Sequence, residues 1–175
     1  MTTLPALRAP TDSLAPTALT RTGLGVAIQD GHCRVLTFKP IAVGSALLEV
    51  HGLVVSAPGR YTLQVAADKH VAPPEGLSLD QEPERYLWRF LNHSCRPNAA
   101  FQGLRLFALQ DLDVGDEVTF DYHCTEYEIA AAFTCRCGHC EGRLIRGFKH
   151  LSPAEQARLA PHLAPHLADL LPPAP

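Results

Sequence analysis

The chain has 175 residues, of which 46% are hydrophobic and 19% charged, with a formal net charge of −3. That suffices for one independently folding domain; the charge argues against a nucleic-acid partner held by phosphate contacts, and no run of about 18 apolar residues is present to span a membrane. The first twenty residues lack a basic start followed by an apolar block, so no secretory leader is expected and the chain is read as intracellular and cytoplasmic.

In chain order, residues 1–20 carry three prolines and little periodicity, which predicts a flexible N-terminal arm. The next hundred residues alternate short β-prone runs with Gly, Pro and Asp. Strands are predicted at Leu24–Gln29, Cys33–Phe38, Ala46–Val50, Tyr61–Val65, Ala99–Gln102, Arg105–Leu109 and Glu117–Asp121. Lengths of about five residues favour a mainly β domain of small twisted sheets. Gly76–Asp80 reads as a loop and Glu84–Leu91 as a short helix. Two capping boxes follow: Thr125 with Glu128 ahead of Ile129–Phe133, and Ser152 with Glu155, where Pro153 takes the first helical position. Leu159, Leu163, Leu167 and Leu171 recur every four residues, but Pro161 and Pro165 divide that face into two short helices. The stripe suits a tail packed on the domain, with a partner-binding helix as the alternative.

Six cysteines are present, three of them crowded into Cys135-Arg136-Cys137-Gly138-His139-Cys140. Without an export signal disulfides explain them poorly, and metal binding or reactive thiols come first. The densest polar signal is Arg89-Phe90-Leu91-Asn92-His93-Ser94-Cys95-Arg96-Pro97-Asn98, a run costly to bury unless each group finds a partner.

RFLNHSCRPN, then ALQDLDVGDEVTFDYH, then FTCRCGHCEG, in that order, resembles the SET-domain family of protein lysine methyltransferases. The resemblance begins at Arg21-Thr22-Gly23-Leu24-Gly25-Val26 and runs to about Phe148. It implies a SET domain over residues 21–124 with a knot-like core, a post-SET segment over 125–148 and a helical, proline-rich tail over 149–175. It also implies methyl transfer from S-adenosylmethionine to a lysine side chain of a protein substrate.

Matched position by position, Gly23, Leu24 and Gly25 meet the methionine part of the cofactor. Arg89 neighbours its carboxylate, Asn92 and His93 its amino group and adenine, and Phe133 lies near the adenine. Tyr122 falls at the reacting centre, and Phe120 at the channel position that tunes how many methyls fit. A sulfonium methyl is already activated, so the protein's task is in-line positioning, helped by weak C–H···O contacts from a hydroxyl and nearby carbonyls. The amine must lose its proton first, which a desolvating channel favours.

The same resemblance implies structural zinc held by Cys95, Cys135, Cys137 and Cys140. Here the chain departs from the family: only Gly138 and His139 separate the second and third cysteines, where four residues are usual, so His139 stands as an alternative ligand. Glu49-Val50-His51-Gly52 lacks the family's Tyr-Gly, which leaves Tyr61 or Trp88 to complete the aromatic wall. The short insert between Gly52 and Trp88 keeps a small-molecule amine or free amino acid open as substrate. A catalytically silent binding module is the remaining alternative.

Overall fold

The computed structural model describes residue 16 and residues 19–29, 31–78 and 81–172. Most of the expected arm lies outside the described residues. Leu19 and Thr20, at its end, are fixed: Leu19 bridges Gly25, and Thr20 is buried with its hydroxyl bonded to the Leu24 backbone.

The fold is a set of small sheets, as the short runs and frequent turns require. β1 (Leu24–Gln29) and β2 (His32–Thr37) form an antiparallel hairpin. β3 (Ala46–Glu49) joins β8 (Ala99–Gln102) and β9 (Arg105–Ala108) in a sheet of order β3-β9-β8. β4 (Leu53–Val55), β5 (Leu63–Ala66) and β6 (Lys69–Ala72) form a second, of order β4-β6-β5. β7 (Asn92–His93) and β10 (Thr119–Phe120) pair in parallel, and β11 (Phe133–Thr134) pairs with β12 (Leu144–Ile145). Leu24, Val26, Val35, Leu47, Leu87, Leu106 and Val118 are central to the main core. Among the described residues, no helix is long and apolar enough to cross a membrane.

The structure departs from these expectations in three places. β4 and β6 lack the alternating apolar pattern: Leu53 and Val54 of β4 are exposed, and β6 carries Lys69 and His70, so neither strand announces itself. No helix follows Thr125. Its hydroxyl donates to the Glu126 carboxylate, Glu128 pairs with Lys149, and the Ile129 N–H goes to the Arg146 carbonyl, so the capping box never closes. The expected helix over Glu84–Leu91 is one helical turn, α1 (Pro83–Tyr86), continued by a 3-10 turn over Leu87–Phe90.

The second capping box does form. The Ser152 hydroxyl accepts the Glu155 N–H while Glu155 accepts the Ser152 N–H, opening α2 (Pro153–Leu159). After a 3-10 turn at Ala160–His162 the chain enters α3 (Pro165–Ala168). The leucine stripe packs as a satellite core: Phe148, Leu151 and Leu167 are buried, with Leu159, Leu163 and Leu171 against them. The tail is also bonded to the domain, from Ala164 N–H to Cys124 O at 2.7 Å and from His166 Nε2 to Thr125 O at 2.9 Å. Leu167 is 0% exposed. Leu167→Ala is therefore expected to cost about 2–5 kcal/mol, read as a lower melting temperature; an unchanged melt would mean that the satellite core does not anchor the tail.

Candidate active site

The site is built where two segments distant in sequence cross. β7 lies beside β10, and Ser94 N–H extends the pair by donating to Phe120 O at 3.0 Å. Asn98 stitches the same crossing, its amide donating to Glu117 O and its carbonyl accepting Thr119 N–H, both at 2.9 Å. β2 supports the segment from the other side, through a Leu36–Glu117 bridge and a bond from Val118 N–H to Val35 O.

Tyr122 opens a 3-10 turn over Tyr122–Cys124, capped by the Asp121 side chain. Its hydroxyl donates to Leu91 O at 2.7 Å, and its ring packs against Phe120 (4.8 Å between centroids), His93 (5.3 Å) and Phe133 (5.9 Å). Burial raises the phenol's pKa, with the Glu126 and Glu117 carboxylates adding to the effect, so the proton stays on. Phe120 packs edge-on against Phe101, and nearby Cys124 is buried, its thiol pushed up to about 12 and inert at neutral pH.

The His93 ring accepts Tyr122 N–H at Nδ1, which places its own proton on Nε2, 3.3 Å from Cys95 Sγ. Burial lowers His93 to about 4, a pull that the Asp121 charge only partly offsets, so the ring is neutral. Asp121 bonds to His123 Nδ1 at 2.8 Å. Burial opposes its charge, but the bond and charge of His123 outweigh that and hold its carboxyl below the usual range. Asp121 and His123 are thus bonded to each other and His93 to the Tyr122 backbone, so each faces a protein partner.

Four cysteines meet beside this cluster. Cys95, on the loop after β7, joins Cys135, Cys137 and Cys140, all four sulfurs lying within 4.8 Å of one another. The Cys95–Cys135 and Cys137–Cys140 separations are both 3.9 Å. Tetrahedral zinc about 2.3 Å from each sulfur sets neighbouring sulfurs about 3.8 Å apart, so the donor set fits structural zinc. The shortened spacing does not break the set. His139 supports it from the backbone, its N–H donating to Cys137 Sγ at 3.4 Å, while its ring stays outside the group. All six cysteines are free thiols.

Arg89 lies elsewhere, in a cleft of about 600 Å³ lined by Tyr61, Pro73, Glu75, Leu77 and Phe90 among others. Its Nη2 donates to Ser78 O at 2.6 Å, its guanidinium stacks 4.6 Å over Phe90, and its Nε is buried without a hydrogen-bond partner. Tyr61 lines this cleft, edge-on to Phe90. Trp88 instead fills the core and donates from Nε1 to His51 O, so of the two candidate wall residues only Tyr61 faces the opening. Gly23 takes φ +84, and a Cβ there would run into the Lys39 side chain. β1, which starts at Leu24, packs against the 3-10 turn that carries Arg89. The Asn92 amide donates to Cys33 O and to Glu117.

Sequence reasoning passed over two acidic residues here, because neither sits in a local pattern. Glu117 reaches Asn92 and Arg34. Glu126 is buried four residues after Tyr122, and its Oε1 accepts Gln64 N–H at 2.9 Å and the Thr125 hydroxyl at 3.1 Å. Burial raises Glu126 to about 7, more than those two bonds lower it. The folded state therefore holds this proton more tightly than the unfolded chain, and stability falls as pH rises from about 4.5 to about 7. Glu126→Gln keeps the acceptor and removes the charge. It is expected to raise the melting temperature by several degrees at pH 8, corresponding to at most about 3 kcal/mol, and to leave it nearly unchanged at pH 4. A loss at pH 8 would contradict the buried-acid assignment.

A family model described as the SET domain matches residues 23–123, more than half of the chain. Among curated proteins, histone-lysine N-methyltransferase met-2 of Caenorhabditis elegans is 37% identical over 94 residues, covering 45% of this chain and 7% of that protein. Methyltransferase flvH of Aspergillus flavus is 38% identical over 88 residues, covering 47% of this chain and 48% of flvH. The chain thus spans less than half the length of these relatives in the matched region. Among solved structures, Kryptonite in complex with mCHG DNA and SAH superposes with a TM-score of 0.51 at 23% identity, over 70% of this chain and 29% of that one. At that identity the likeness speaks for the fold.

Proposed function

Because the chain belongs to the SET-domain family, we propose that it is an S-adenosylmethionine-dependent methyltransferase acting on the side-chain amine of lysine in a protein. The observation that carries this is the setting of Tyr122: a protonated phenol anchored to Leu91 O inside an aromatic group of Phe120, His93 and Phe133. The cofactor, when bound, supplies an activated methyl group.

In this reading Arg89 receives the cofactor carboxylate. Its buried, unpartnered Nε in an open cleft of drug-sized volume supports that role. Gly23, Leu24 and Gly25 take the methionine end, Asn92 the amino group, and His93 with Phe133 the adenine. The Tyr122 oxygen has its proton occupied by Leu91 O, so its lone pairs remain to orient a methyl group or to accept from the amine. Phe120 brings no hydroxyl to hold water beside the amine, which supports di- or trimethylation. Zinc at Cys95, Cys135, Cys137 and Cys140 ties the segment bearing Phe133 to the loop after His93.

A second reading, transfer to a small-molecule amine, is favoured by the short insert between Gly52 and Trp88. The expectation that no nucleic acid binds rests on net charge alone, and the Kryptonite complex, which contains DNA, lends it no support. Incubation with labelled S-adenosylmethionine, first with cell lysate and then with small amines, separates the substrates. Label on protein lysines is the expected outcome; label on small amines alone moves the proposal to the second reading, and label on neither, by a folded protein that binds the cofactor, rejects both.

A further inference from the structure

We infer that Glu117, held by Arg34, is a positioning residue that fixes the Asn92 side-chain amide with its carbonyl oxygen toward the cofactor's ammonium group. The inference rests on the cofactor reading above and adds a residue to it.

Asn92 Nδ2 donates to Cys33 O at 2.9 Å and to Glu117 Oε1 at 2.7 Å, so both amide hydrogens have acceptors. Reversing the amide would turn Oδ1 onto a carbonyl oxygen and a carboxylate oxygen, with no hydrogen between them. The network therefore permits one orientation. Glu117 is itself fixed: its second oxygen receives Arg34 Nη1 at 2.8 Å, and its backbone lies in the bridge to Leu36 of β2. Cys33 and Arg34 are neighbours on β2, so one strand supplies both the carbonyl that Asn92 needs and the cation that clamps Glu117.

With both hydrogens directed at β2 and Glu117, Oδ1 is turned away from them. Among the described residues it has no hydrogen-bond partner, and it is not a sealed-off atom. An amide whose N–H meets a carboxylate is polarised, which strengthens its oxygen as an acceptor. Such an oxygen selects a cation or a neutral donor over an anion. Three residues earlier Arg89, with its unpartnered Nε, makes the opposite selection. In the cofactor reading these opposite preferences match the two groups of an α-amino acid end, ammonium at Asn92 and carboxylate at Arg89.

The test compares three probes by calorimetry on the full chain: S-adenosylhomocysteine, its decarboxylated amine, and 5′-methylthioadenosine, which lacks both ammonium and carboxylate. Glu117→Ala is expected to weaken the two ammonium-bearing probes by about tenfold or more and 5′-methylthioadenosine by less than about twofold. Glu117→Gln, which still offers an acceptor to Asn92 Nδ2, is expected to restore S-adenosylhomocysteine to within about threefold of wild type. Equal weakening of all three probes, or unchanged S-adenosylhomocysteine binding by a folded Glu117→Ala protein, overturns the assignment. If Glu117→Ala does not fold, Arg34→Ala takes its place: a smaller loss confined to the ammonium-bearing probes is expected, and an indiscriminate loss or none overturns it. Failure of wild type to bind any probe removes the cofactor reading itself, a result distinct from the others.

Discussion

Replacing Tyr122 with phenylalanine is expected to lower kcat for methyl transfer by about a hundredfold or more, with cofactor affinity changed by no more than a few-fold. The ring would keep its packing against Phe120, His93 and Phe133, so the pocket's shape survives. What disappears is one oxygen atom, bonded to Leu91 O and carrying the lone pairs proposed to orient the reacting groups. Loss of that bond alone costs about 1 kcal/mol of stability, which a melt separates from a folding defect. Because burial and two nearby carboxylates hold the phenol's proton on, the role proposed for Tyr122 is that of an orienting group and not of a base. Single-turnover rates with labelled cofactor, measured beside calorimetry on the same protein, make the check. A variant with unchanged kcat would remove Tyr122 from the reacting centre.

The second large effect is expected from the metal cluster. Cys137→Ser should reduce bound zinc from about one per chain to a small fraction of that, and destabilise the chain by several kcal/mol, a large part of the roughly 5–15 typical of a domain. The four sulfurs join a loop of the central crossing to a segment about forty residues further on, and the N–H groups of Cys137 and His139 already point at Cys135 and Cys137 sulfurs. Phe133, two residues before Cys135, touches both His93 and Tyr122, so loss of zinc should also weaken S-adenosylhomocysteine binding. Elemental analysis, a melt and a titration read these three consequences. His139→Ala, by contrast, should retain zinc, since its contribution is a backbone N–H. Full zinc content in Cys137→Ser, or its loss in His139→Ala, would contradict the four-sulfur set.

Legibility in the sequence followed the range of the interactions. The Ser152 capping box closes within four residues and appeared where expected; that of Thr125 failed because Glu126, Lys149 and Arg146 drew its parts elsewhere. β1 and β8 emerged at their expected bounds and β3 and β9 within a residue, because each buries side chains in the main core. β4 has an exposed face and β12 has two residues, too little for any periodicity to register. At the site, the order of the motifs carried the family and the cysteine set. The bonds from Glu117 to Asn92 and from Glu126 to Gln64 were invisible, since each spans 25 or more residues and depends on tertiary pairing. Arg89 could be named from its motif and Tyr61 offered with Trp88 as a wall candidate, but the choice between those two, and Pro73 beside Arg89, needed the fold.

If the Arg89 cleft and the aromatic group around Tyr122 belong to one cofactor site, as proposed, calorimetric titration of the zinc-loaded full chain with S-adenosylmethionine will show it. Saturable binding of one molecule per chain, weakened by Arg89→Ala and by Phe133→Ala alike, is the expected result. Absence of binding at millimolar cofactor, from a chain that melts cooperatively, would contradict it.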